Sequence, residues 1–154
     1  MKTYVSSDGT WEVKYPSNWR VKESADAPDE WQLLSPSSAS PASDALTDGE
    51  AKIEFFIREN EDNVTLDKLL SHYCEVPPGI DGSTGECRKT DINGREWAWA
   101  FRHEEVSGGV SGYLVGTIAN GRIYESFSGV PDGEHSEAGL AQVREILATF
   151  RLNL

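Results

Sequence analysis

The side chains that could carry chemistry are few and scattered. Three histidines, His72, His103 and His135, stand far apart, and no HExxH spacing is present, so zinc-protease chemistry has no starting motif. Cys74 and Cys87 form no CxxC pair, which removes zinc-ribbon and thioredoxin-like readings. His72 and Cys74 are two positions apart, and on a helix that spacing sends the side chains to different faces, so they make no nucleophile–base dyad. Ser126, in Glu125-Ser126-Phe127-Ser128-Gly129, lacks the GxSxG turn that presents a hydrolase serine and reads as an ordinary strand residue. Two acidic runs, Asp44, Asp48 and Glu50, then Glu59, Glu61 and Asp62, miss the ligand spacing of a calcium loop and read as solvated surface. Asp132 and Glu134 read the same way, as acids drawn to a helix start. Gly108, Gly109 and Gly112 come without the lysine of a phosphate loop and read as a hairpin connection. Trp97 and Trp99 share a strand face that could line a ligand cleft; a sheet face needs cover, so they read as core. The expectation is no catalytic residue, no metal site, no cofactor, and no histidine clustered with carboxylates inside a pocket.

Charge and the cysteines bound the setting. Acids outnumber bases 26 to 14, a formal charge of −12, which repels nucleic acid and anionic membrane surfaces. No segment approaches the ~20 apolar residues of a bilayer span, and the start carries no signal-peptide pattern. Met1 is either a cytosolic start or stands ahead of a mature domain whose signal or anchor is absent. Between Cys74 and Cys87 lie Pro77, Pro78, Gly79, Gly82 and Gly85. Closing so flexible a loop with a disulfide would stabilise the fold by roughly 3 kcal/mol in the chain-entropy model. The alternative is two unrelated reduced thiols, as in a cytosol. The bonded pair is the expectation, with Cys74 ending a helix and Cys87 starting the next strand.

The elements that must position these residues follow from periodicity. Apolar residues make up 38% of the chain and charged residues 26%, a folded composition, and 1–154 reads as a single domain. Trp11, Val13 and Tyr15 alternate with Glu12 and Lys14, Pro16-Ser17-Asn18 interrupts, and Trp19-Arg20-Val21-Lys22 resumes, which predicts a hairpin. Residues 31–35 and 51–59 read as strands, the latter covered on much of both faces. Residues 36–48, rich in serine, alanine and proline, read as a mobile loop that folding does not need. Leu66, Leu69, Leu70 and Tyr73 form one helical stripe behind a Thr65 N-cap, ended by Pro77-Pro78. Asn93-Gly94 and Asn120-Gly121 are hairpin turns, pairing 87–92 with 95–104 and 112–119 with 122–129. Leu140, Val143, Leu147 and Phe150 place a second helix over 136–150. The fold class is α+β: an antiparallel sheet with helices on its faces.

Gly9-x-Trp11-x-Val13-x-Tyr15-Pro16-x-x-Trp19-x-Val21 resembles the opening of the PsbP/Mog superfamily. Ile146-Leu147-Ala148-Thr149-Phe150-Arg151-Leu152 is similar to that family's closing helix. The resemblance spans nearly the whole chain and implies an α/β/α sandwich. It also implies a mostly non-catalytic binding function, as in photosystem II extrinsic subunits, a Ran-binding protein, DcrB-type envelope proteins and chaperones of secreted toxins. No functional residue set is shared across them, so the binding residues are open. The expectation is a monomeric, non-enzymatic protein-binding domain of a bacterial envelope or secreted protein, including a lipoprotein, with an unidentified protein partner. A cytosolic chaperone or adaptor for a secreted client is the first alternative, a small metal-dependent enzyme the second.

Overall fold

The computed structural model describes residues 1–23, 30–35, 48–106 and 108–154. Residues 36–47 of the expected loop lie outside that range, as does Asp44. The elements in order are β1 (Lys2–Val5), β2 (Trp11–Tyr15), β3 (Arg20–Glu23), β4 (Glu30–Leu34), β5 (Lys52–Glu59), α1 (Leu66–Tyr73), β6 (Gly82–Ile92), β7 (Arg95–Glu104), β8 (Val110–Ala119), β9 (Arg122–Pro131), α2 (Ser136–Leu147) and β10 (Arg151–Leu152). Seven strands make one sheet in the order β3-β4-β5-β9-β8-β7-β6, and three make another in the order β1-β2-β10. Every pairing is antiparallel.

The expected hairpin of 11–15 with 19–22 does not form. β2 is the central strand of the small sheet, with both edges taken by β1 and β10, so β3 has no edge to pair with and joins β4 instead. The turn itself is present, with Trp19 N–H donating to the Pro16 carbonyl. It carries the chain from one sheet to the other.

Both Asn-Gly turns form as expected. Asn93 and Gly94, then Asn120 and Gly121, all have positive φ, the left-handed pair that matches the twist of a two-residue hairpin. Their strands run further than the expected 87–92 and 112–119, beginning at Gly82 and Val110. In β6, Glu86 and Cys87 together oppose the single residue Ala100, a bulge that turns Cys87 toward α1. The Cys74–Cys87 disulfide closes there, with Cα atoms 5.9 Å apart.

One face of the large sheet carries the main core. Trp31, Leu33, Ile53, Phe55, Trp97 and Val115 meet Trp11 and Val13 of β2 and Val143, Ile146 and Leu147 of α2. Helix α2 stops at Leu147, short of the expected Phe150. Lys14 N–H donates to Thr149 Oγ1 at 2.9 Å, pinning the chain to β2 where it becomes β10. Phe150 then turns into the core, stacking on Trp11 and lying 4.8 Å from the Trp97 ring. On the opposite face α1 buries Leu69 and Tyr73 against Ala98, Ala100 and Ile123. Burying a leucine or isoleucine here contributes about 1.5–3 kcal/mol. Thr65 caps α1, accepting from Lys68 N–H at 3.2 Å. β5 is buried through Ile53, Phe55 and Ile57 on its core side only; the other side is half covered, where Phe56 lies against Phe127.

Candidate functional site

Helix α1 sits over β6, β7 and β8, reaches Ile123 of β9, and leaves the same sheet face half covered toward β5. Between the end of α1 and that face lies a cleft of about 560 Å³, inside the size range of small-ligand sites. Val76, Pro77 and Pro78 wall one side, with Leu114, Phe127 and Val110 opposite. Its floor is a weak place in the β8–β9 ladder. The register skips Gly112/Gly129 and Tyr113/Ser128, and Tyr113 N–H donates instead to Ser128 Oγ at 2.8 Å. Gly112 approaches Ser128 so closely that a Cβ would overlap the Ser128 carbonyl oxygen. Gly112 is therefore a packing residue inside β8, not part of a flexible hairpin connection.

A buried polar triad closes one end. Glu125 is only 5% exposed. It accepts from the Tyr73 hydroxyl at 2.5 Å and from Arg58 Nε at 2.8 Å. Burial, then the adjacent carboxylate, holds the Tyr73 hydroxyl well above its ordinary pKa, so it stays neutral and donates. Arg58 is half exposed and shields the carboxylate from solvent. Arg102 occupies the other end. It donates through Nη2 to the Glu75 carbonyl at 2.9 Å and the Tyr73 carbonyl at 3.3 Å, satisfying carbonyls that the end of α1 leaves open. Its Nε is buried and has no partner.

The protons of this arrangement are committed within it. The Tyr73 proton is committed to Glu125, and Glu125 is held by two donors, so neither is poised as a free acid or base. Arg58, Tyr73, Arg102, Glu125 and Phe127 escaped sequence reading. The legible signal was Glu125, a carboxylate in the same alternating file as Ile123 and Phe127.

The residues singled out from sequence are not brought together. Ser126 is buried on the core side with its hydroxyl unpartnered. His72 lines the cleft rim, and Cys74 is in the disulfide. Trp97 and Trp99 are core residues, 1% and 4% exposed. Asp48 spends both carboxylate oxygens on His135, accepting from its backbone N–H at 3.1 Å and pairing with Nδ1 at 2.8 Å; that imidazole contact lowers the Asp48 pKa. Glu59 pairs with Arg122 at 3.1 Å. Among the described residues no group of three or more His, Cys, Asp or Glu side chains could hold a metal ion.

His103 stands among acidic side chains at the β7–β8 turn. Outside the cleft, Nε2 meets Glu105 at 2.8 Å and Nδ1 meets Ser111 Oγ at 2.9 Å, with Asp132 3.6 Å from Nδ1. The Ser111 hydroxyl donates its one proton to Asp132 at 3.3 Å, so it accepts from Nδ1–H. Nε2 faces the Glu105 carboxylate, a contact that favours a proton there. The imidazolium is thus the favoured form, its pKa raised by the Glu105 hydrogen bond first and then by Asp132. A base-activated serine needs the opposite proton direction, so this is a clasp across the β7–β8 turn, not a nucleophile.

No protein-family model and no curated protein sequence matches the chain. Solved structures do match. Cyanobacterial PsbP (CyanoP) of Synechocystis sp. PCC 6803 aligns with a TM-score of 0.63 at 12% identity, over 98% of this chain and 91% of its own. LpqN of Mycobacterium tuberculosis, described as involved in cell envelope biogenesis, aligns at 0.62 and 13%, over 98% and 89%. The Saccharomyces cerevisiae Ran-binding protein Mog1p aligns at 0.60 and 10%, over 98% and 94%. This chain has the PsbP/Mog-like fold. It spans about half (48%) of a Bacteroides thetaiotaomicron protein that it matches at 0.61 and 16%. At these identities the shared property is the PsbP/Mog-like architecture: helices and a small sheet packed on the two faces of a large antiparallel sheet. No helix among the described residues is long and apolar enough to cross a membrane.

Proposed function

We propose that this chain is a single, monomeric, non-catalytic protein-binding domain that works outside the bacterial cytoplasm, in the cell envelope or as a secreted protein. The observation that carries this reading is the half-open face of the large sheet, where the half-buried Phe56 and Phe127 lie 5.4 Å apart, centroid to centroid, at the margin of α1, whose Tyr73 ring meets Phe127 edge-on. A half-buried aromatic pair beside a cleft walled by Val76, Pro77, Val110 and Leu114 suits a partner's apolar side chains. The polar groups beside it are paired with one another, which supports binding over turnover. The disulfide supports an oxidising compartment, and the envelope role stated for LpqN agrees with it. An open apolar groove also suits a chaperone or adaptor, but a bonded Cys74–Cys87 pair argues against the cytosolic version of that reading.

The test places a photo-crosslinking phenylalanine analogue at Phe56 and irradiates cells of the source organism. The expected result is one protein adduct from the envelope or secreted fraction, with both cysteines oxidised in the recovered chain. Reduced thiols, or adducts no different from those of an analogue placed at exposed Leu154, would reject the proposal.

A further inference from the structure

The cleft is the best-developed recognition feature of the molecule, and its chemistry narrows the partner. The apolar walls, Val76, Pro77, Leu114 and Phe127, ask for an apolar side chain. The rim is acidic. Glu75 and Glu104 line it, and past Glu104 the chain enters the group formed by Asp81, Glu105 and Asp132 around His103. Within the cleft Arg58 is committed through Nε to Glu125, and the Arg102 guanidinium lies 3.6 Å from Glu104, so the cations there are offset by carboxylates. The whole chain carries −12.

We infer that the cleft receives an extended segment of the protein partner with an apolar residue at its centre and lysine or arginine on either side. The apolar side chain enters between Pro77 and Phe127, and the basic flanks meet Glu75 and Glu104. The acid excess favours that charge pattern over its reverse before contact is made. This inference rests on the protein-binding reading above and adds the surface and the partner's chemistry to it.

The experiment uses the full chain and capped fluorescent nonapeptides with a Leu-Phe centre flanked by lysines, the same centre flanked by glutamates, and a Ser-Ser centre flanked by lysines. Anisotropy is expected to show binding of the lysine-flanked Leu-Phe peptide at the micromolar level, as suits a short exposed site. The other two peptides should bind at least about tenfold more weakly, a difference of ~1.4 kcal/mol. The rim variant Glu75→Lys/Glu104→Lys also removes the Glu104 partner of Arg102, so its fold is checked by circular dichroism with Glu75→Lys alone as the second variant, and it should reverse the preference toward the glutamate-flanked peptide. Equal binding of the lysine- and glutamate-flanked peptides overturns the inference. So does an unchanged preference in the rim variant, or saturable binding of decanoate or dodecylammonium with none of any peptide. If the Phe56 crosslink survives in the rim variant, the protein-binding reading stands and only the placement in the cleft falls.

Discussion

Gly116 is the residue that lets the Tyr73 hydroxyl reach Glu125. A Cβ at position 116 would overlap that hydroxyl and crowd Leu69. The missing side chain leaves the space in which α1 settles on β8 and buries a charged hydrogen bond beneath itself.

Tyr73→Phe removes a donor to a buried carboxylate and should cost about 1.5–3 kcal/mol. Gly116→Ala should cost roughly 1–3 kcal/mol through overpacking. Because the clash is largely with the hydroxyl, Gly116→Ala should cost less when combined with Tyr73→Phe than in the native chain. Urea denaturation of the two single variants and the double variant measures this. Strict additivity would mean that the hydroxyl is not what Gly116 accommodates.

Trp97 lies in the aromatic group joining both sheets and touches Phe150. Trp97→Ala should lower stability by about 3–5 kcal/mol, while any remaining folded fraction keeps its partner binding. A stable variant that had lost binding would make Trp97 a ligand residue.

The disulfide ties the end of α1 to the bulge in β6 and closes the loop that carries Pro77 and Pro78. Cys74→Ser/Cys87→Ser should lose roughly 3 kcal/mol. The native chain should show a two-hydrogen mass deficit without reductant. Native alkylation of both thiols would contradict the bond.

His103 makes stability depend on pH. Its folded-state pKa is raised above the ordinary 6.5 by Glu105 and then Asp132. A raised histidine contributes stability that is fully present below the unfolded pKa and lost as pH climbs through the folded value. The chain should therefore lose stability from near neutrality upward, and His103→Gln should flatten that part of the profile. Thermal midpoints across roughly pH 5–9 test it; a His103→Gln profile parallel to the native one would remove His103 from the account.

Local features were legible because their causes are local. The Asn-Gly turns need only two left-handed residues, and α1 needs only a Thr65 cap and an apolar stripe. The alternation Trp97, Trp99, Phe101 told which side of β7 was core, and the two cysteines lay close enough along the chain for a bridge to be read from their loop. The Pro16–Trp19 turn was also visible, but a turn does not say whether its arms pair.

The amino-acid sequence by itself determined the α+β class, both helices and the four-strand run of hairpins. Each of these is encoded within a few residues by backbone preference and side-chain period. Tertiary structure alone decided that β2 would be flanked by the two chain ends as β1 and β10, that Arg58 and Tyr73 would converge on Glu125 from 67 and 52 positions away, and that a cleft would open beside them. Strand pairing across such separations is set by which edges remain free once the core has closed. A buried charge finds its partners only where the chain has already been brought together.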